Sequence, residues 1–156
     1  MKRTILAILA LVLLLSGCGD RWSDVSAVAD ITDQMLRERV GNYSASRWSG
    51  KLESSGSAWR YSASWGELTG ARRLLRLEAG ADTAVQAAYT LEEAGDGVIV
   101  AVLCPDDTVI RLSPGENTLS LPEGRSWLVA AAYHSQGGFQ VDMALAAGSL
   151  RVRVDD

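Results

Sequence analysis

Trp59-Arg60-Tyr61-Ser62-Ala63-Ser64-Trp65 alternates apolar and polar residues at every step. A period of two sends successive side chains to opposite sides of an extended chain, so this stretch reads as a strand with one buried and one wet face. The pattern extends in both directions. Upstream, Trp48, Gly50 and Leu52 alternate with Lys51 and Glu53; downstream, Leu75 and Leu77 flank Arg76, and Val85, Ala87, Tyr89 and Leu91 alternate with Gln86, Ala88, Thr90 and Glu92. Val98 to Leu103 is apolar without a break, the mark of a central strand covered on both faces. Further strands are expected at Thr108 to Leu112, Thr118 to Leu121, Ser126 to Tyr133, Phe139 to Leu145 and Leu150 to Val154. Turn formers punctuate them: Gly80-Ala81-Asp82, Gly95-Asp96-Gly97, Pro105-Asp106-Asp107, Pro114-Gly115, Pro122-Glu123-Gly124 and Gly137-Gly138. About nine short strands with regular turns predict an all-β fold, a jelly-roll-like antiparallel β-sandwich over residues 47–156.

Upstream of the strands the period changes. Val25, Val28, Ile31, Met35, Leu36 and Val40 recur at helical spacings, with aspartates early and arginines late. A short helix or an irregular tether is expected over residues 18–46, with Ser23 as a candidate cap and Gly41-Asn42 as the stop. Its natural use is as a spacer between the sandwich and whatever holds the N-terminus.

Residues 1–17 have the order of a secretory signal: Lys2 and Arg3, then an apolar run from Thr4 to Leu14, then small residues. The run falls short of the roughly 20 residues of a membrane-crossing helix. Leu15-Ser16-Gly17-Cys18 resembles the lipobox of bacterial lipoproteins, where small residues precede an invariant cysteine. The resemblance implies that the Cys18 thiol receives diacylglycerol and that cleavage falls between Gly17 and Cys18. The acylated Cys18 would then hold the chain on the extracytoplasmic face of a membrane. Two buried acyl chains anchor firmly, at about 0.8 kcal/mol per methylene. Gly19 stands where the usual inner-membrane retention signal has aspartate. The competing reading is an ordinary signal peptide or a membrane-spanning anchor.

Of 156 residues, removal of 17 leaves 139, enough to bury roughly two thirds of the unfolded surface around one core. The loss of Lys2 and Arg3 takes the formal charge from −4 to −6. That acidity, with arginines scattered along the sequence, argues against nucleic acid, whose binders cluster Lys and Arg against phosphates. Cys104 is left without a disulfide partner if Cys18 is acylated, and its apolar neighbours predict an inert buried thiol.

Motifs for chemistry are few. His134 is the one histidine, which excludes two-His and three-His metal sites within one chain. A serine hydrolase would need it together with Ser135 or another nucleophile and an acid such as Asp142, without a Gly-x-Ser-x-Gly elbow. Asp96, Asp106 and Asp107 sit in two turns where carboxylates could ligate calcium, or where aspartate simply closes the turn on nearby amides. Glu92 and Glu93 point to opposite faces and cannot form an acid–base pair, although carboxylates from separate strands could meet across a cleft. The five tryptophans are many for this length, and the one phenylalanine leaves the core to draw its bulk from Trp, Tyr and Leu. Trp48, Trp59 and Trp65 are therefore both core candidates and the candidates for stacking on a sugar ring. No phosphate loop and no Cys-x-x-Cys pair occurs, so no cofactor is expected beyond the diacylglycerol of Cys18.

Gly95 to Leu145 runs as an apolar strand, a Pro-Asp-Asp turn, a Pro-Glu-Gly turn, a second apolar strand and Gly-Gly-Phe leading into an alternating strand. It resembles the jelly-roll-like modules appended to secreted bacterial proteins, including the pre-peptidase C-terminal type, and implies a non-catalytic accessory or binding role. The sequence thus leads to a lipid-anchored, non-enzymatic envelope protein whose partner is an envelope protein or a cell-wall glycan. A carbohydrate-binding module and a small hydrolase are its rivals.

Overall fold

The computed structural model describes residues 22–92 and 97–155; Gly17, Cys18 and Asp96 lie outside them. Among the described residues the chain is all-β apart from a 3-10 turn at Val28–Asp30 and one short helix, α1 (Asp33–Arg39). Its strands are β1 (Tyr43–Ser46), β2 (Ser49–Ser55), β3 (Ala58–Ala79), β4 (Thr83–Glu92), β5 (Ile99–Leu103), β6 (Val109–Arg111), β7 (Gly115–Leu121), β8 (Gly124–Ala147) and β9 (Leu150–Val154). Every pairing is antiparallel.

Two strands organise the rest. β3 and β8, of 22 and 24 residues, pair with each other from Ala58↔Ala144 to Ala79↔Gly124. At about 3.3 Å per residue such a ribbon would far outrun a small domain if straight, so it folds over on itself in jelly-roll fashion. Register shifts between Trp65 and Leu68, Leu68 and Gly70, and Arg73 and Leu75 mark the bends. The first half of β3 and the second half of β8 build one layer with β2, β4 and β7. The other halves build the second layer with β5, β6 and β9, while β1 pairs near the bend.

The main core lies between the layers. Tyr61, Trp65, Tyr89, Phe139 and Met143 of the first meet Leu75, Leu77, Val100, Val102 and Leu128 of the second. Burying this much apolar area at about 25 cal/mol per Å² is the main force holding the sandwich closed. The alternation Trp59, Tyr61, Ala63, Trp65 faces inward as expected. β5 is covered on both faces, since Val100 and Val102 enter the main core while Ala101 and Leu103 enter a second cluster.

That second cluster changes the view of the N-terminal segment. Trp22, Val25, Ile31 and Leu36 are buried against Ala71, Ala101, Val129 and Ala131 on the outer face of the second layer. From Trp22 onward the expected tether is therefore a packed cover, and the folded body begins well before residue 47. The helix is present but short, and Thr32 caps it by accepting from the Met35 amide, not Ser23. Alanines on the sheet leave room for the cover's larger side chains, an arrangement that helical spacing alone does not reveal.

The turns at Gly80–Asp82, Pro105–Asp107, Pro114 and Pro122–Glu123 fall between strands as expected. Gly137-Gly138 does not make a turn; it lies within β8, opposite Trp65 and Ser64. A Cβ on Gly138 would stand 2.7 Å from the Ala63 carbonyl oxygen, so the glycine permits a close strand approach where the ribbon bends.

Candidate functional site

The outer face of the first layer carries side chains in rows across five strands. One row is Glu53, Arg60, Asp142, Ala88 and Glu116, from β2, β3, β8, β4 and β7 in that order. The next is Ser55, Ala58, Ala144, Gln86 and Thr118. Alanines at the centre and longer polar residues around them leave a groove of about 480 Å³, within the range of small-molecule sites. Ser54, Trp59 and Met143 also border it.

Its charges are set by neighbours. Arg60 Nε donates to Asp142 Oδ1 at 2.6 Å, and Gln140 Nε2 donates to Asp142 Oδ2 at 2.6 Å, so both carboxylate oxygens are held. Asp142 raises the pKa of Arg60 through that hydrogen bond. Lys51 lies 2.6 Å from Glu53, and its hydrogen bond holds the Glu53 carboxyl below its ordinary value. Thr118 donates to Gln86 at 3.2 Å. Carboxylates, a guanidinium and an amide thus offer donors and acceptors side by side over a small-residue floor. These groups suit recognition of a polyhydroxyl ligand.

The expected aromatic contacts separate. Trp65 is 5% exposed and belongs to the core. Trp48 stacks on Trp65 with centroids 5.6 Å apart and planes 11° from parallel, and the Arg72 guanidinium lies 4.5 Å from its ring. These contacts occupy Trp48 within the fold. Trp59 is half-buried against the main core and also borders the groove.

His134, Ser135 and Asp142 do not converge. Asp142 is committed to Arg60 in the groove, eight residues along β8 from His134, a span of about 26 Å in extended chain. His134 instead has Nδ1 2.8 Å from Glu67 Oε1 at the bend, in a recess of about 320 Å³ with Tyr43, Ser44 and Thr69. Its φ of 48° follows from the bulge there, and its backbone amide donates to Thr69 Oγ1. Among the described residues no hydroxyl hydrogen-bonds the imidazole, and Ser135 is buried.

Asp106 and Asp107 serve their turn. Asp106 accepts from the Thr108 amide at 3.1 Å, which lowers its pKa, while Asp107 adopts φ 67° and its carbonyl accepts from Arg37. Among the described residues no group of three or more His, Cys, Asp or Glu could hold a metal ion. Cys104 is buried and unpaired, and burial pushes its thiol up.

No family model matches this chain, and no curated protein matches it. Among solved structures it is similar to procruciferin, an 11S globulin from Brassica napus, at 19% identity and a TM-score of 0.34, over 62% of this chain and 22% of that one. It is also similar to a cupin domain from Bordetella pertussis Tohama I, at 12% identity and a TM-score of 0.31, over 67% of this chain and 98% of that one. The chain thus spans about a fifth of the globulin. At these values neither likeness bears on the site.

The groove's polar residues carry no linear motif that would join them in sequence. Arg60 and Asp142 are 82 residues apart and meet only through the register of β3 with β8. The available signal was the alternation that put Glu53 and Arg60 on the wet face.

Proposed function

We propose that this protein is a lipid-anchored binding module on the extracytoplasmic face of a bacterial envelope, and that its groove takes a polar glycan of the cell wall. The anchor reading rests on the lipobox-like Leu15-Ser16-Gly17-Cys18 behind a positive, apolar leader. The ligand reading rests on one observation: the row Glu53, Arg60, Asp142, Ala88, Glu116 sets polar side chains around an apolar floor in a groove of about 480 Å³. Sugar hydroxyls donate and accept, which matches a surface carrying both kinds of group, and the alanine floor leaves apolar surface for sugar C–H groups.

The ligand is tested by co-sedimenting the chain from residue 18, carrying Cys18→Ser, with purified cell-wall sacculi. Saturable pelleting is expected. Asp142→Ala should weaken it about tenfold or more, because hydrogen bonds to a charged group contribute about 1.5–3 kcal/mol, with an unchanged circular dichroism spectrum. No pelleting, or equal pelleting of the folded variant, would remove the glycan.

The anchor is tested in cells. Cys18→Ser in the full chain should move the protein out of the lipoprotein pool, abolishing incorporation of labelled palmitate and the firm membrane hold of the mature chain. Palmitate labelling that persists in the variant would place the lipid elsewhere.

A further inference from the structure

Strand pairing gathers arginines that the sequence scatters. On the outer face of the second layer, Arg153, Arg76 and Trp127 form one row, and Arg151, Glu78 and Arg125 the next. Arg73, just before the bulge, has its guanidinium 5.0 Å from the Trp127 ring, and that of Arg125 is 5.9 Å from it. Glu78 is the carboxylate within this group, and it is shared: Arg76 approaches to 3.3 Å, Arg125 to 3.8 Å and Arg151 to 4.0 Å. Arg76 Nε is buried and makes no hydrogen bond. Among the described residues neither Arg73 nor Arg153 has an ion pair. Five guanidiniums, three of them sharing Glu78 and with Asp155 at the edge where its amide donates to the Leu74 carbonyl, thus form a basic patch on a chain whose formal charge is −4.

We infer that this patch docks on the anionic phosphate headgroups of the membrane to which the chain is anchored, an inference that rests on the lipid-anchor reading. Guanidinium matches phosphate in charge and in bidentate geometry. A tryptophan flanked by arginines suits the headgroup zone, where amphipathic rings collect. Position selects the membrane as the source of phosphate. Trp22 lies four residues beyond Cys18, a reach of at most about 14 Å, and is buried on the same outer face beside Gly70. From Ala71, under the cover, to Arg76 is about 15 Å along β3. A lipid on Cys18 therefore brings this face to the bilayer. The groove lies on the outer face of the other layer, so docking by the patch turns the groove away from the membrane.

The test uses residues 18–156 with Cys18→Ser, which retain both buried clusters but carry no acyl chain. Sedimentation is measured with vesicles of phosphatidylcholine alone and of an equimolar mixture with phosphatidylglycerol. Binding to the mixed vesicles only is expected, falling away in about 1 M salt, where the screening length is about 3 Å. Arg73→Gln, Arg125→Gln, Arg151→Gln and Arg153→Gln together should lower partitioning more than about a hundredfold, at roughly fivefold per charge, with an unchanged melting temperature. Equal binding to both vesicle types, or undiminished binding by the folded variant, would overturn the patch. So would calorimetric binding of inorganic phosphate without vesicle binding, which would assign the arginines to a free anion. Intact-mass analysis of protein extracted from cells reads the anchor separately. If diacylglycerol is missing from Cys18 while the patch still binds vesicles, the anchor reading fails and the headgroup site stands.

Discussion

Val100→Asp is expected to leave no folded protein. Val100 is 1% exposed on β5, which pairs with β6 on one side and β8 on the other, and its side chain enters the core between the layers. The substitution forfeits about 1.5–3 kcal/mol of apolar burial. It also places a carboxyl group where Val102, Leu128 and Ala130 offer no hydrogen-bond partner, and an unpaired polar group there costs several kcal/mol more, even when protonated. A domain of this size is stable by about 5–15 kcal/mol in total, so the sum is of the order of the whole stability. Leu91→Asp is the control: Leu91 is 37% exposed near the end of β4 and should tolerate the charge. Thermal melts followed by circular dichroism separate the two. A cooperative Val100→Asp melt within a few degrees of the parent would mean that β5 does not lie between the layers.

The place of Val100 is legible in the amino-acid sequence alone, and the reason is physical. Where period-two alternation holds, each side chain's face is fixed by the backbone, so Tyr61, Ala63 and Trp65 can be placed inside from their spacing. The continuous apolar run of β5 likewise requires cover on both faces. Legibility ends at the bulges. An inserted residue reverses the faces that follow, and in sequence a slip in alternation looks the same whether the strand bends or ends. Trp59–Trp65 and Leu75–Leu77 therefore read as two strands, although both belong to β3, and Gly137-Gly138 divides β8 in the same way. The surface sites suffer most, because they depend on which strands become neighbours. Arg60 meets Asp142, and Arg76 meets Trp127 and Arg153, through register that no local pattern encodes. Of the aromatic candidates, only Trp59 combines core contact with groove lining, and composition does not distinguish it from Trp48 or Trp65.

Trp22→Ala should detach the N-terminal cover while leaving the two-layer sandwich closed. The indole is 2% exposed, and its Nε1 donates to the Asn42 carbonyl at 2.7 Å. The Arg39 guanidinium lies 5.7 Å from the ring. The ring fits because Gly70, at φ 103°, has no side chain; a Cβ there would stand 2.9 Å from Nε1. Truncating a buried tryptophan to alanine costs about 3–5 kcal/mol. The remaining Val25, Ile31 and Leu36 must then hold the cover against the small surfaces of Ala71, Ala101 and Ala131. At roughly 3–5 °C per kcal/mol for this length, the melting temperature should fall by about 10–20 °C. The loss should also be local. Amide exchange in residues 22–42 is expected to accelerate well before that of β4 and β7, because the cover touches one outer face and not the main core. Unchanged exchange in residues 22–42 would show that the cover is not held by this ring. If the cover does open, about 20 residues of chain are released between the proposed anchor and the sheet, a reach of up to about 70 Å. The arginine face would then no longer be kept at the bilayer. The same substitution should therefore weaken headgroup contact in the anchored protein although it touches none of the arginines that make it.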